Sequence, residues 1–281
     1  MSLPFRKMNG LGNDFVVLDA RRHRLAISET QARAIADRKT GVGCDQLIVM
    51  ENSPVADVRM RIWNAEGGEV PSCGNASRCV ADLVFDEKAG EVATIETKGG
   101  MLTARKAAGN HMVTIDQGKP KFGWKDIPLS EPFGDTRHIE LQVGPIDKPL
   151  LHSPSVVNVG NPHCIFWVDD LEVVDFAKVG PMLENHPMFP ERANISLAKV
   201  VARDHVIMKV WERGAGLTKA CGTAACAIMA AGYRIKVIDA ACRITLPGGD
   251  LFMAVNEDNG HILMTGPAAL DFEGTLPEGL L

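Results

Sequence analysis

Short runs of apolar, β-prone residues occur at Phe15–Asp19 (FVVLD) and Cys164–Asp169 (CIFWVD), and both predict strands. Apolar and polar positions alternate in VRMRIWN (Val58–Asn64) and VIMKVWE (Val206–Glu212), which predicts two more. Ser28 followed three residues later by Gln31 is a capping-box pattern, so SETQARAIADR is expected to open a helix. FAKVGPMLENH (Phe176–His186) has helical spacing, but Gly180-Pro181 is expected to break or restart it. ASRCVADLVF and AACAIMAAGYRI predict helices that begin directly after Cys73-Gly74-Asn75 and Cys221-Gly222-Thr223. Each cysteine is therefore expected at a strand-to-helix turn, with Asn75 or Thr223 as the cap. The Pro/Gly-rich stretch KPKFGWKDIPLSEPFGD reads as a loop joining two halves.

The two cysteine phrases belong to a longer repeat. Cys221 lies 148 positions after Cys73, and the same offset lays RIWNAEGGEVPSCGNA (Arg61–Ala76) on KVWERGAGLTKACGTA (Lys209–Ala224). It also lays Gly12-Asn13 on Gly160-Asn161, Gln46 on Asn194, Trp63 on Trp211 and Asn64 on Glu212. The matched positions are largely Asn, Gln, Glu, Cys and Gly rather than core residues. That pattern predicts a duplicated unit, with halves near 1–120 and 121–266, and one site built from matching parts of both.

Composition narrows the class. A chain of 281 residues with a net charge of −5 and no block of like charges has no basic footprint for nucleic acid or for an anionic membrane. The N-terminus MSLPFRKMNG has no apolar stretch of a signal peptide, and the longest small and apolar run, Ala224–Gly232, is too short to span a bilayer. Seven cysteines, an odd number without a secretion signal, predict reduced thiols and a cytoplasmic location. Their spacing is not C-x-x-C and the eight histidines form no ligand pair, so no metal is expected. NGLGND has only G-x-G and reads as a turn, not a nucleotide loop, and Lys219 reads as a solvated loop residue rather than a cofactor lysine.

A cysteine at a helix N-terminus sits beside unpaired N–H groups and partial positive charge. Its thiolate is expected to be stabilised, and the adjacent amides are suited to a substrate carboxylate. Two such turns facing one α-carbon supply a base on one side and an acid on the other. Removal of the α-proton by one sulfur and reprotonation by the other inverts the stereocentre, while helix amides hold the charge that develops on the carboxylate. The chemistry needs neither a metal nor pyridoxal phosphate. The remaining cysteines, Cys44, Cys79, Cys164, Cys226 and Cys242, fall outside the shared register and read as packing.

With these residues in view, the chain resembles the diaminopimelate epimerase family. The carriers are KMNGLGNDFVVLD, GVGCDQL, WNAEGGEVPSCGNASRC, VNVGNPHC, ERANI and VWERGAGLTKACGTAACA, an ordered set covering nearly the whole chain. The resemblance implies a cofactor-independent isomerase of lysine and peptidoglycan precursor synthesis that interconverts LL- and meso-diaminopimelate. It implies an α/β (mixed α+β) fold of two pseudo-symmetric lobes, each a curved mixed sheet around a central helix, with the active site between them. The lobes would be 1–120 with a returning segment 267–281, and 121–266. It also implies a homodimer, with Phe272 as the aromatic contact position.

Carried over by motif, Cys73 would be the proton donor and Cys221 the acceptor in the LL-to-meso direction. Gly74, Asn75, Gly222 and Thr223 would bind the reacting end. Asn13, Gln46, Asn64, Asn161, Asn194, Glu212 and Arg213 would hold the substrate, with Arg213 suited to the distal carboxylate. His163 and Glu212 resemble positions that tune the cysteines. Two departures stand out: Ala76 and Ala224 replace the family's usual glycines, and Cys44 replaces its usual alanine. Ala at 76 and 224 is expected to be tolerated if both lie within helices and not at positive φ.

The competing readings are a proline-racemase-like or phenazine-biosynthesis-like isomerase, a two-lobed amino-acid binding protein, and a thiol–disulfide oxidoreductase. Asn75 in place of His speaks against the proline-racemase type, the paired cysteines against the phenazine type and the binding protein, and the missing C-x-x-C against the oxidoreductase. Oxidative joining of Cys73 to Cys221 is a further expectation, because both sulfurs must reach one carbon.

Overall fold

The computed structural model describes residues 3–23, 25–277 and 279–280. Its contacts divide the chain into two compact units, Met1–Asp116 with Thr265–Leu281, and Gln117–Met264.

The first unit runs β1 (Pro4–Gly10), β2 (Asn13–Asp19), α1 (Glu29–Ala36), β3 (Gln46–Glu51), β4 (Val58–Asn64), β5 (Glu69–Val70), α2 (Gly74–Lys88), β6 (Val92–Thr97), β7 (Gly100–Lys106) and β8 (Met112–Asp116). In the second come β9 (Gln142–Val143), β10 (Leu151–His152), β11 (Ser155–Asn158), β12 (Pro162–Trp167), α3 (Phe176–Glu184), β13 (Asn194–Ala202), β14 (His205–Glu212), β15 (Gly216–Thr218), α4 (Gly222–Arg234), β16 (Ala241–Leu246) and β17 (Gly249–Asn256). β18 (His261–Pro267) crosses the boundary, and β19 (Ala269–Thr275) belongs to the first unit. The class is mixed α+β, sheet-dominated, with four helices among the described residues.

Each unit wraps its strands on one helix. α2 packs against β1, β4, β6, β7 and β8, and α4 packs against β11, β12, β13 and β17. Both helices are buried on nearly every side: Asn75–Asp82, Val84 and Phe85 in α2, and Ala224–Gly232 in α4. A helix apolar or small all round belongs at a centre, not at a surface. The opposite sheet face takes the shorter helix. Ala32, Ile35 and Ala36 of α1 join Val16, Leu18, Leu47, Val49 and Trp63 in one core cluster. In the second unit Phe176 and Leu183 of α3 pack with Cys164, Phe166, Ile195 and Leu197.

The repeat is visible in the strand register. In the first unit Phe15 pairs with Gln46, Leu47 with Trp63, and Ile62 with Val70. The pairs His163–Asn194, Ile195–Trp211 and Val210–Thr218 in the second are the same positions displaced by 148. The register slips by one past the central helix: Val58 pairs with Ile95, but Val206 pairs with Ile244. The cause is local, since α4 ends at Arg234 where α2 runs a full 15 residues, and a longer turn follows α4.

Ser28 caps α1 in a complete capping box with Gln31. The expectation for α3 was wrong, because the helix continues through Pro181. Gly180 lies flat on Trp211, where an added Cβ would stand 2.5 Å from the indole ring. That close contact holds the helix in place despite the missing proline N–H. The stretch 119–135 is irregular, but it is more than a connector: Ile127 and Leu129 are buried in the core of the second unit. No helix among the described residues is long and apolar enough to cross a membrane.

Candidate active site

Both cysteines are themselves the N-cap residues of the central helices, with extended backbone at Cys73 (φ −150°) and Cys221 (φ −134°). This corrects the expectation that Asn75 and Thr223 cap. Those side chains lie one residue inside the first turn and are used elsewhere. Ala76 and Ala224 fall within the helices, fully buried and absent from the positive-φ residues, so the family's glycines are not needed there. All seven cysteines are free thiols, and Cys44, Cys79, Cys164, Cys226 and Cys242 are buried. Burial pushes the Cys79 thiol up to about 12 and the Cys44 and Cys242 thiols to about 11, which leaves them as packing groups.

In the first unit the β1–β2 hairpin delivers Asn13. Leu11 and Gly12 both take positive φ (59° and 79°), the geometry of a tight two-residue hairpin turn. Asn13 Oδ1 accepts from Cys73 Sγ at 3.8 Å and from Asn75 Nδ2 at 3.3 Å. Opposite one another on β3 and β4, Gln46 Nε2 donates to Asn64 Oδ1 at 3.3 Å.

The second unit repeats the plan with different atoms. Asn161 Nδ2 donates to Thr223 Oγ1 at 3.4 Å, and Thr223 Oγ1 lies 3.4 Å from Cys221 Sγ. Asn161 Oδ1 lies 2.8 Å from His163 Nε2, so that nitrogen carries the proton and donates. Glu212 accepts from the Thr218 hydroxyl and from Cys221. Asn194 Oδ1 accepts from the backbone N–H of Arg213 at 2.9 Å, and Arg213 donates through one guanidinium nitrogen to the Glu191 carbonyl at 2.8 Å.

Among the described residues Gln46 Oε1, Asn75 Oδ1 and His163 Nδ1 are buried and find no hydrogen-bond partner. Buried polar atoms are rarely left this way, and at candidate site residues they mark positions for ligand groups.

The electrostatics of Cys221 differ from the expectation of a thiolate. Burial pushes this thiol well up, the Glu212 carboxylate adds to the effect, and the Thr223 hydroxyl and the Ala224 N–H only partly offset it. Desolvation outweighs the helix start, so the free protein holds Cys221 as a thiol. Glu212 is itself raised by burial, against the bonds from Thr218 and Cys221, and is placed to take that proton. Burial lowers His163 to about 3, with Arg213 acting in the same direction, so the imidazole is neutral at working pH.

Other expected residues lie apart from these clusters. Phe272 is on β19, half-exposed and edge-on to Phe5 at 5.9 Å, with Leu270 exposed on the same strand. Lys219 is exposed in a bend. Three neighbours escaped the sequence reading. Asp45 holds Asn13, Thr218 holds Glu212, and Glu184 fixes the turn after Arg213 by accepting from Trp211 Nε1 (2.7 Å) and Gly214 N (3.0 Å). Asp45 stands inside the quoted GVGCDQL phrase beside Gln46; Glu184 has no local signal.

The fold defines a class of two-unit chains in which each unit wraps a sheet on a central helix. Solved structures share it across nearly the whole chain. A Bacillus anthracis phenazine biosynthesis protein of the PhzF family aligns with a TM-score of 0.68 at 19% identity, covering 99% of both chains. A hydroxyproline epimerase from Agrobacterium vitis aligns with a TM-score of 0.68 at 12% identity, covering 98% of this chain and 92% of that one. At the level of sequence, residues 5–123 and 155–270 match the profile of the family described as diaminopimelate epimerase. Diaminopimelate epimerases of Rhodopseudomonas palustris strain BisB18 and Afipia carboxidovorans are 54% and 53% identical to this chain. Each alignment covers 96% of this chain and 93% of the relative. The chain belongs to the diaminopimelate epimerase family.

Proposed function

We propose that this protein interconverts LL- and meso-2,6-diaminopimelate by a two-base mechanism, supplying meso-diaminopimelate for lysine and peptidoglycan precursors. The observation that carries the reading is the pair of cysteines at the same position of two duplicated units, each the N-cap of a buried central helix. Family membership supports the substrate.

In this reading the two half-sites act on one α-carbon. The reacting carboxylate lies on the first amides of α2 and α4, at Gly74, Asn75, Gly222 and Thr223. In the LL-to-meso direction Cys221 removes the α-proton and Cys73 delivers one to the opposite face. As the C–H bond breaks, its electron pair moves into the carboxylate, and the helix N–H groups hold that developing charge. Glu212 accepts the Cys221 proton before the sulfur can act as base, and Thr223 donates to the resulting thiolate. Asn13, Gln46, Asn64, Asn161 and Asn194 hold the rest of the substrate. Arg213 takes the distal carboxylate, its backbone already fixed by Asn194.

The protein works in the cytoplasm as a homodimer paired through β19 at exposed Phe272. Sedimentation of wild type and Phe272→Asp checks the pairing; a monomeric wild type removes it. The activity is tested by proton NMR of LL-diaminopimelate in deuterium oxide with purified protein and no added cofactor. The α-proton signal is expected to disappear as meso isomer forms, and Cys73→Ala or Cys221→Ala is expected to abolish the conversion. Absence of exchange with verified free thiols would rule out this substrate or this chemistry.

A further inference from the structure

The two units hold their asparagines in opposite orientations. Asn13 Nδ2 donates to Asp45 Oδ2 at 2.9 Å, which leaves its oxygen turned toward Cys73 and Asn75. At Asn161 the order is reversed. His163 donates to the oxygen, so the NH2 group is turned toward Thr223, beside Cys221. At Asn13 the orientation is imposed from behind, because an amide facing a carboxylate must present its N–H; at Asn161 the neutral His163 ring takes the tautomer that complements the amide oxygen.

Asp45 is itself clamped. Its Oδ1 accepts from Arg38 at 2.7 Å and its Oδ2 accepts from the Asp14 N–H at 3.0 Å. Its own N–H donates to Asp14 Oδ1 at 3.0 Å. Asp14 in turn accepts from Arg38 at 2.7 and 3.0 Å and from Lys7 at 2.5 Å. Burial opposes ionisation of Asp14, but Arg38 and Lys7 hold its carboxyl well below the usual range. The positions equivalent to Asp14 and Asp45 in the second unit are Pro162 and Ala193, so this clamp has no copy there.

We propose that Asp45 is a positioning residue of the reaction: it fixes the Asn13 amide with its oxygen on Cys73, so that the first cysteine is held as the S–H partner. The mirror-image amide at Asn161 lets Thr223 turn its hydroxyl hydrogen to Cys221, the arrangement that suits a sulfur about to become a thiolate. The duplication thereby produced two chemically unlike thiols from one backbone plan. The assignment of donor and acceptor rests on the functional reading above; the orientation of Asn13 does not. The charged groups around the first corner are Asp14, Asp45, Arg38 and Lys7 behind Asn13, and buried Arg78 on α2.

The test reads the Cys73 S–H stretching band of the free protein by infrared difference against Cys73→Ser, which needs no substrate, together with kcat. In wild type the band is present and shifted to low frequency by the oxygen acceptor. Asp45→Ala moves it toward the unbonded position and lowers kcat about tenfold, the scale of one hydrogen bond that also involves a charged partner. Asp45→Asn keeps an oxygen on Asn13 and turns its NH2 to exposed Arg38, so it recovers both within a few-fold. Arg38→Ala loosens the clamp without touching the core and lies between. No Cys73 S–H band at neutral pH, or Asp45→Ala with band and kcat unchanged, overturns the proposal. Wild type with the shifted band but no diaminopimelate turnover faults the functional reading instead.

Discussion

Thr223→Val isolates one hydrogen bond at the second cysteine. Val and Thr are nearly the same shape and have similar helix propensity, and Thr223 is only half-buried at the first turn of α4, so folding energy should change little. The substitution removes the hydroxyl 3.4 Å from Cys221 Sγ and the acceptor for Asn161 Nδ2, also at 3.4 Å. In the free protein the bond faces a thiol and counts for little. Once Cys221 is a thiolate the bond is charge-assisted, about 1.5–3 kcal/mol. With about 1.36 kcal/mol per decade, kcat should fall roughly tenfold to 150-fold. The Thr223 hydroxyl is one of the few groups pulling the Cys221 thiol down against burial. Its loss raises that thiol further, so the acidic limb of the rate profile moves to higher pH and part of the deficit is recovered in alkali. Steady-state kinetics against pH, with thermal melts as control and Thr223→Ser as rescue, measure this. A valine variant with kcat within twofold of wild type and an unmoved limb would refute the idea that this hydroxyl serves the thiolate.

Two further expectations concern stability. Gly180→Ala drives a methyl group to 2.5 Å from the Trp211 ring, so α3 must shift off the sheet; about 1–3 kcal/mol of stability should be lost, readable by urea unfolding, and an unchanged midpoint would contradict the packing described. His163 is depressed to about 3 in the folded state from an unfolded value near 6.5, so its contribution is fully present above pH 6.5 and is lost as pH falls toward 3. Calorimetry of His163→Phe, which copies Phe15 of the first unit, should show a shallower loss of stability across that window; parallel curves would assign the acid sensitivity to other groups.

Local signals carried far where a residue's role depends on its near neighbours. Ser28 and Gln31 named a helix start correctly because a capping box is complete within four residues. The turn at Gly12 and the strands leading to each cysteine were legible for the same reason. The Gly180-Pro181 break was misread because the force that keeps α3 whole comes from Trp211, 30 positions away in sequence. Asn75 and Thr223 were misread as caps because their use depends on Asn13 and Asn161, brought there by a hairpin.

What the sequence determined by itself was the repeat. A constant offset of 148 placed the two cysteines, the two tryptophans and the polar pairs in equivalent positions, and strand pairing reproduces that offset in the strands that precede each central helix. It could do so because duplication copies spacing, and side-chain direction in a strand follows spacing alone. Only the tertiary structure decided how the two copies differ. Whether a helix start or burial governs Cys221, which way each asparagine amide turns, and that Asp45 fixes the amide of Asn13 depend on groups brought together by the fold. Desolvation and hydrogen-bond direction are properties of the assembled surroundings, and no one-dimensional pattern encodes them.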